Sequence, residues 1–399
     1  MVMTVDRRRV LAYRAAVQGL ARDAKDPEEL GVLDLGIQDS QVGTARLALT
    51  ARLPVVPTAS GGGPGDRGGR GSPGDRSGRR GPGDPVSDET TYAVLWSFRG
   101  APHLHRRADL PALTSALWPL DDADAMTRLT SARKPMAAAG IAGLAAFTAA
   151  AEAMRAVVTK PLSKGEVSAG VTAALPAAYS YACRSCASTH IYGSIFQLVG
   201  LPAGVRHVPD SAPLTLVPLE RRPRVPTRAV GTADVVRTYL RLHGPATTAE
   251  AASYLGTTQA KVRTVWPDGL AEVNVNGRPT WLPEEQLPDL RKASRPSYVR
   301  LLPALDPFLQ ARDRDVLVPD SAHQKALWKI LSSPGGVLVD GEIAGTWRVR
   351  GAGKKRLMLT VEPFGRLAAK TRTAIEEESA RIAELRGAAG IDVAYDPVG

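Results

Sequence analysis

Cysteine is nearly absent: two residues in 399 cannot build a disulfide scaffold, which points to a reducing compartment. Long apolar runs are scarce as well. Met136 to Ala151 carries no charge, yet it is rich in Ala and Gly and shorter than the roughly 20 apolar residues that a bilayer span requires. It reads as a buried helix. The first residues, Met1 to Arg9, turn charged at once and hold no apolar signal core, so a soluble, cytoplasmic protein is expected. Acids are outnumbered, 40 against 51 bases, and the formal charge of +11 favours a polyanionic partner. Between Ala59 and Val86 no residue is of a type that packs a core.

The clearest stretch runs from Gly231 to Leu282. Val235, Val236, Tyr239, Leu240 and Leu242 recur at helical spacing until Gly244-Pro245. Thr247-Thr248 with Glu250 caps a second helix to Leu255, Gly256 turns, and Thr257-Thr258 opens a third through Lys261, Arg263 and Val265. Leu270–Val275 and Arg278–Leu282 flank Asn276-Gly277, the dipeptide favoured in a type I′ hairpin. Three helices and a ribbon describe a winged helix-turn-helix, with Lys261 and Arg263 on its third helix and Arg278 at the wing tip. Such a unit suits a DNA groove, its cations meeting phosphates; packing against a protein partner is the plainer alternative.

The same order recurs upstream. Asp6–Arg22, Pro27–Leu30 and Val42–Leu53 are predicted helices, the first opening on three arginines kept for phosphate or left in solvent. Arg46 and Arg52 fall on the outer face of the third. Residues 57–87, a run of Gly, Pro, Asp, Ser and Arg, form a disordered insertion before the wing at Tyr92–Phe98 and Arg99–His105. His103 and His105 alternate there on one strand face, able to line a DNA channel or stand exposed. Ala137–Val158, Leu162–Leu175 (capped by Ser163 and Glu166) and Tyr181–Val199 are the helices of a second unit, and Val205–Leu219 is its ribbon. Val337–Val349 is a hairpin about Asp340-Gly341; Lys354–Val361 adds a strand, and a charged helix runs from Phe364 to about Gly387. The expected fold is α+β, with tandem winged helix-turn-helix modules at 1–125, 126–228 and 229–290. A C-terminal antiparallel β-sheet and terminal helix follow at 291–399.

Leu35-Gly36-Ile37-Gln38-Asp39 followed by Leu47 to Leu53, Trp96-Ser97-Phe98-Arg99-Gly100 with Pro102-His103-Leu104, Leu301-Leu302-Pro303 with Asp306-Pro307 and Asp313-Arg314, and Gly341 through Gly345-Thr346-Trp347-Arg348 lie in one order along the chain. In these segments the chain resembles the winged-helix DNA glycosylases of the AlkZ type, which remove bulky alkylated purines. The resemblance implies three winged helices around a basic channel for double-stranded DNA, alkylated or damaged. Three modules in one chain favour a monomer wrapping a single lesion, with no cofactor and a place at the nucleoid expected. The family signature, glutamine–hydrophobic–glutamine followed by aspartate, sets its second glutamine on Gln38 and its first on Gly36; a register beginning at Gln38 itself has an unsuitable polar middle residue. Gln38 and Asp39 are thus the implied catalytic residues, and Arg46, Arg99, His103, Lys261, Arg263, Arg278 and Arg348 the implied DNA contacts. With one amide in place of two, the enzyme is either weakened or, alternatively, a non-enzymatic DNA-binding regulator.

A cationic alkylated purine leaves as a neutral base, so hydrolysis needs chiefly a held water and stabilisation of an oxocarbenium-like sugar. An amide accepting from that water meets the first need, and Asp39 or Asp34 the second. Cys183-x-x-Cys186, with His190 beyond, has the spacing of a zinc knuckle but lacks a second pair; small residues at a helix entrance are the simpler reading.

Overall fold

The computed structural model describes residues 2–41, 43–57, 84–185, 187–351 and 355–397. Most of the expected insertion at 57–87, and Cys186, lie outside the described residues.

Strand β1 (Met3–Val5) leads into helix α1 (Arg7–Val17), which Asp6 caps by accepting from Arg9 N at 2.8 Å. The helix stops short of Arg22 because Gly19 turns left-handed, φ +74°. Its arginine cluster is partly solvated, with Arg8 and Arg9 exposed, and each member also has a partner within the protein. Arg7 and Arg8 pair with Glu342 at 2.9 and 3.3 Å, and Arg9 donates to the Arg291 carbonyl. Strand β2 (Ile37–Gln38), helix α2 (Thr44–Thr50), β3 (Tyr92–Trp96) and β4 (Pro102–Arg106) come next. The three strands form a sheet in the order β2-β4-β3, with Gln38 directly opposite His103. Helix α3 (Leu110–Ala116) closes this region.

The middle of the chain departs most from the expected order. The helix expected at Ala137–Val158 starts later, as α6 (Gly143–Val157), and two short helices, α4 (Asp122–Arg128) and α5 (Arg133–Ala138), precede it. Gly140, at φ +68°, ends α5, and a Cβ on Gly143 would stand 2.5 Å from the Asp122 carbonyl, so α6 starts where only glycine fits against α4. Strand β5 (Leu162–Ser163) and α7 (Lys164–Ala174) follow, α7 carrying the expected Ser163–Glu166 capping box. Tyr181–Val199 is not a helix. It folds as a hairpin, β6 (Ser180–Cys183) with β7 (Ser188–Ile191), then α8 (Gly193–Leu198). The residues from Tyr181 to Cys186 are mostly small and offer no helical stripe. Strands β8 (Val205–His207) and β9 (Thr215–Pro218) join β5 in a small sheet.

Residues 231–283 fold as their signals require. Helix α9 (Thr232–His243) ends at Gly244; α10 (Thr248–Leu255) has both bonds of the Thr247–Glu250 capping box and a left-handed Gly256 after it. Helix α11 (Gln259–Thr264) is capped by Thr258. Strands β10 (Leu270–Val275) and β11 (Arg278–Pro283) turn on Asn276-Gly277, both at positive φ. One pairing had no local signal: β1 adds to β10 in parallel, so the start of the chain completes this ribbon. Helix α12 (Leu287–Lys292) packs on α1.

The C-terminal part holds β12 (Val299–Leu302), α13 (Arg314–Leu317), α14 (Ser321–Leu327), β13 (Gly335–Val339), β14 (Glu342–Arg350), β15 (Leu357–Pro363), α15 (Ala369–Leu385) and β16 (Ile391–Tyr395). The sheet runs β12-β13-β14-β15-β16 and is not wholly antiparallel: α15 carries the chain over so that β16 lies parallel to β15. No single helix among the described residues is long and apolar enough to cross a membrane.

Two fully buried ion pairs tie the N-terminal helices to the segment before α13. Arg14 meets Asp313 at 2.9 and 2.6 Å, and Arg52 meets Asp306 at 2.8 Å through both nitrogens. Arg52 is therefore interior rather than on an outer face. Removing one partner strands a charge without water, so Asp306→Ala is expected to cost about 3–5 kcal/mol. A lowered urea midpoint at unchanged m-value measures it; a shift below about 1 kcal/mol would show that Arg52 finds another acceptor.

Candidate functional site

The site is built on the short ladder between β2 and β4. Gln38 is half-buried; its Nε2 donates to Ser40 Oγ at 2.8 Å, while Oε1 is buried with no partner among the described residues. Opposite it, His103 is buried. Its Nδ1 lies 2.9 Å from the Ala101 carbonyl and 3.0 Å from Ser97 Oγ, and Ser97 Oγ lies 2.9 Å from His105 Nε2. Burial, with His105 and Arg99 nearby, holds His103 well below the usual imidazole range, and burial pushes His105 down to about 3. Both rings are neutral at pH 7. The expected role of these histidines on an exposed channel face does not survive: the strand turns them inward, into the packing around Phe98.

Gly36, where the glutamine signature would begin, has φ +76°, and a Cβ there would fall 2.3 Å from His105 Cε1. The His105 ring therefore fills the place where a side chain at 36 would start. Gln38, His103, His243, Tyr254 and Gln310 border one recess of about 10 Å³, room for about one water. His243 is also held neutral by burial, and its Nδ1 is a second buried atom with no partner among the described residues. Asp39 is anchored through one of its oxygens. Its Oδ1 accepts from Ala45 N at 2.9 Å and Thr44 Oγ1 at 3.2 Å, capping α2 where Gly43 has no side chain to do so; burial raises its pKa. It also borders a cleft of about 500 Å³ shared with Trp96, Arg99, Lys164 and Gln197.

Of the seven residues expected to meet DNA, most are spoken for within the protein. Arg46 grips Asp210 at 2.8 and 2.7 Å and Asp84 at 2.8 Å. Lys261 pairs with Asp121, Arg278 with Glu250, and Arg348 donates to Ser332. Carboxylates distant in sequence arrive beside the first three, which spacing alone does not reveal. Arg263 is exposed and has no ion pair among the described residues. Arg99 has no carboxylate either: it donates to the Tyr254 carbonyl, lies 5.0 Å over the Tyr254 ring, and is pushed down to about 10 by burial and by Arg312. Arg312, which the sequence did not single out, stands 5.7 Å from the same ring and reaches Gln310 Oε1 at 3.5 Å. Two guanidiniums without a carboxylate thus converge on Tyr254 and Gln310, which also border the Gln38 recess. Gln310 and Arg312 lie between Asp306-Pro307 and Asp313-Arg314, segments already marked in the sequence; His243 and Tyr254 carried no signal beyond helical periodicity. On the β6–β7 hairpin, His190 faces Tyr181 and Cys183 faces Ser188. No cluster of three metal-ligating side chains occurs among the described residues.

The chain shares its fold with a solved DNA glycosylase. The Streptomyces sahachiroi DNA glycosylase AlkZ matches it with a TM-score of 0.70 over 99% of this chain and 100% of that one, at 20% identity. An interstrand DNA cross-link repair glycosylase of the same organism is 28% identical over 169 residues, 40% of this chain and 44% of that relative, so the alignment spans less than half of the relative's length. The family described as DNA glycosylase AlkZ-like matches residues 84–385, and the chain belongs to that family.

Proposed function

We propose that this protein is a monofunctional DNA glycosylase that hydrolyses the N-glycosidic bond of alkylated purines in duplex DNA, including bases joined in interstrand cross-links. The observation that carries the proposal is the unpartnered Oε1 of Gln38 on a recess of one-water size, in a chain of this family. Gln38 accepts from the attacking water. Asp39 supplies negative charge near the sugar as the cationic base departs, and the cleft that Asp39 borders takes the extruded base. Arg99 and Arg312 answer to a phosphate of the damaged strand, since neither has a carboxylate partner among the described residues.

In this reading the helix–ribbon units act as tandem winged helices about one duplex, and the protein works as a monomer on nucleoid DNA in the cytoplasm. Incubation with duplex DNA carrying a single N7-alkylguanine, followed by detection of free base and alkali-labile abasic sites, tests the activity. Protein that binds this DNA and never releases base would leave only the regulator.

Exposed Arg263 on α11 is placed for phosphate. Arg263→Ala is expected to weaken duplex binding about equally for all sequences and to lower the salt slope by about one. A strongly sequence-dependent loss, measured by anisotropy at several salt concentrations, would mean base readout instead.

A further inference from the structure

We infer that His103 is a catalytic residue, holding the attacking water on its Nε2 lone pair opposite Gln38. The inference rests on the glycosylase reading above and adds a second water-holding group, in a chain whose position 36 has no side chain to offer.

The tautomer follows from the hydrogen bonds. The Ala101 carbonyl can only accept, so the hydrogen of the neutral His103 ring sits on Nδ1, 2.9 Å away. Ser97 Oγ shares that hydrogen at 3.0 Å and gives its own to His105 Nε2 at 2.9 Å. Ser97 and His105 are thus positioning residues that fix the ring. With Nδ1 turned to Ala101 and Ser97, the bare Nε2 is the corner left for the recess that the ring borders. Gln38, directly across the ladder, adds an acceptor there because its Nε2 is already engaged by Ser40. Cross-strand partners stand about 4.5–5.5 Å apart at Cβ, so both acceptors reach one water. A water giving one hydrogen to each acceptor keeps its lone pairs for the sugar.

The step balances without an added reactant. The water oxygen bonds to C1′ as the C1′–N9 bond breaks, and that electron pair neutralises the cationic purine. The released proton passes by way of His103 Nε2 to solvent. The products are a 1′-hydroxyl abasic sugar, a neutral base and one proton.

Two substitutions in the full chain separate this role from a merely structural one. His103→Asn keeps a donor near the Nδ1 position for Ala101 and loses the Nε2 acceptor. His103→Gln places an amide where Nε2 was. In single-turnover release of N7-methylguanine from duplex DNA, His103→Asn is expected to be about 10²-fold slower. His103→Gln should stay within about tenfold of wild type, with thermal midpoint and duplex Kd little changed in both. A His103→Asn enzyme as fast as wild type, or two equally slow variants, overturns the inference. Should the variants fail to fold, long-range ¹H–¹⁵N correlation of histidine-labelled wild type decides: a bare Nε2 on His103 supports it and a protonated Nε2 overturns it. Wild type that releases no base defeats the glycosylase reading, a result distinct from the tautomer.

Discussion

Replacing Gln38 with alanine is expected to slow release of an N7-alkylated purine by about 10²–10⁴ while duplex affinity stays within about threefold. The side chain does little for the fold. It is half-buried and makes one hydrogen bond, to Ser40, and its strand is held through the backbone ladder to β4. Truncation should cost no more than about 1.5 kcal/mol of stability. What it removes is an acceptor from a recess of one-water size, and the water loses an orientation rather than its chemistry. The interaction belongs to the transition state, so the loss should fall on the single-turnover rate and spare the dissociation constant. Unchanged base release in Gln38→Ala would show that the amide does not hold the nucleophile. A parallel loss of affinity and rate would assign Gln38 to binding.

Mild acid is expected to unfold this protein steeply. His103 and His243 are held well below their ordinary value by burial, His207 is pushed to about 4 and His105 to about 3. In the unfolded chain each titrates near 6.5. Above that pH the four are neutral in both states, and stability does not depend on them. As pH falls below 6.5 the unfolded chain takes up protons that the folded one refuses. Each histidine then removes up to about 1.4 kcal/mol per pH unit, continuing until the folded rings themselves protonate. Four together approach about 5 kcal/mol per unit, comparable with the whole stability of an ordinary domain. Urea midpoints should be flat from pH 8 to 7 and fall sharply between 6.5 and 5. Replacing His207, whose buried Nε2 has no partner among the described residues, by leucine should remove about a quarter of that slope. A midpoint unchanged down to pH 5 would mean that the rings accept protons where they are.

How legible the fold was depended on whether a signal was local. Thr247 with Glu250, Gly256 and Asn276-Gly277 each specify a cap or turn within four residues of chain, and each element formed there. Ser163 with Glu166 did the same. The start of the helix expected at Ala137–Val158 misled because Ala-rich sequence reads as continuous helix, whereas the close approach of Gly143 to α4 set the break. Tyr181–Val199 misled for want of periodicity, and the parallel partners β1 and β16 because a parallel pair leaves no turn between its strands.

The site divides the same way. Gln38, His103 and Arg99 were each marked in the sequence, the first by family pattern and the others by their place beside a wing. Nothing in sequence spacing told that His103 would face Gln38 and His105 would fill the space beside Gly36. Nor did spacing tell that Arg46, Lys261 and Arg278 would be neutralised by Asp210, Asp121 and Glu250 while Arg99 and Arg312 found no carboxylate.

By itself, the sequence determined the capped helices and the hairpin of residues 231–283, a positively charged chain and the family pattern around Gln38. Caps, turns and net charge act over a few residues or over no particular distance, and both can be read from a string. The tertiary structure alone decided which cations remain unpaired and which polar atoms share a recess. Those properties depend on groups as far apart in sequence as Gln38 and Gln310 coming to border one recess, where a buried polar atom must find a partner or a water.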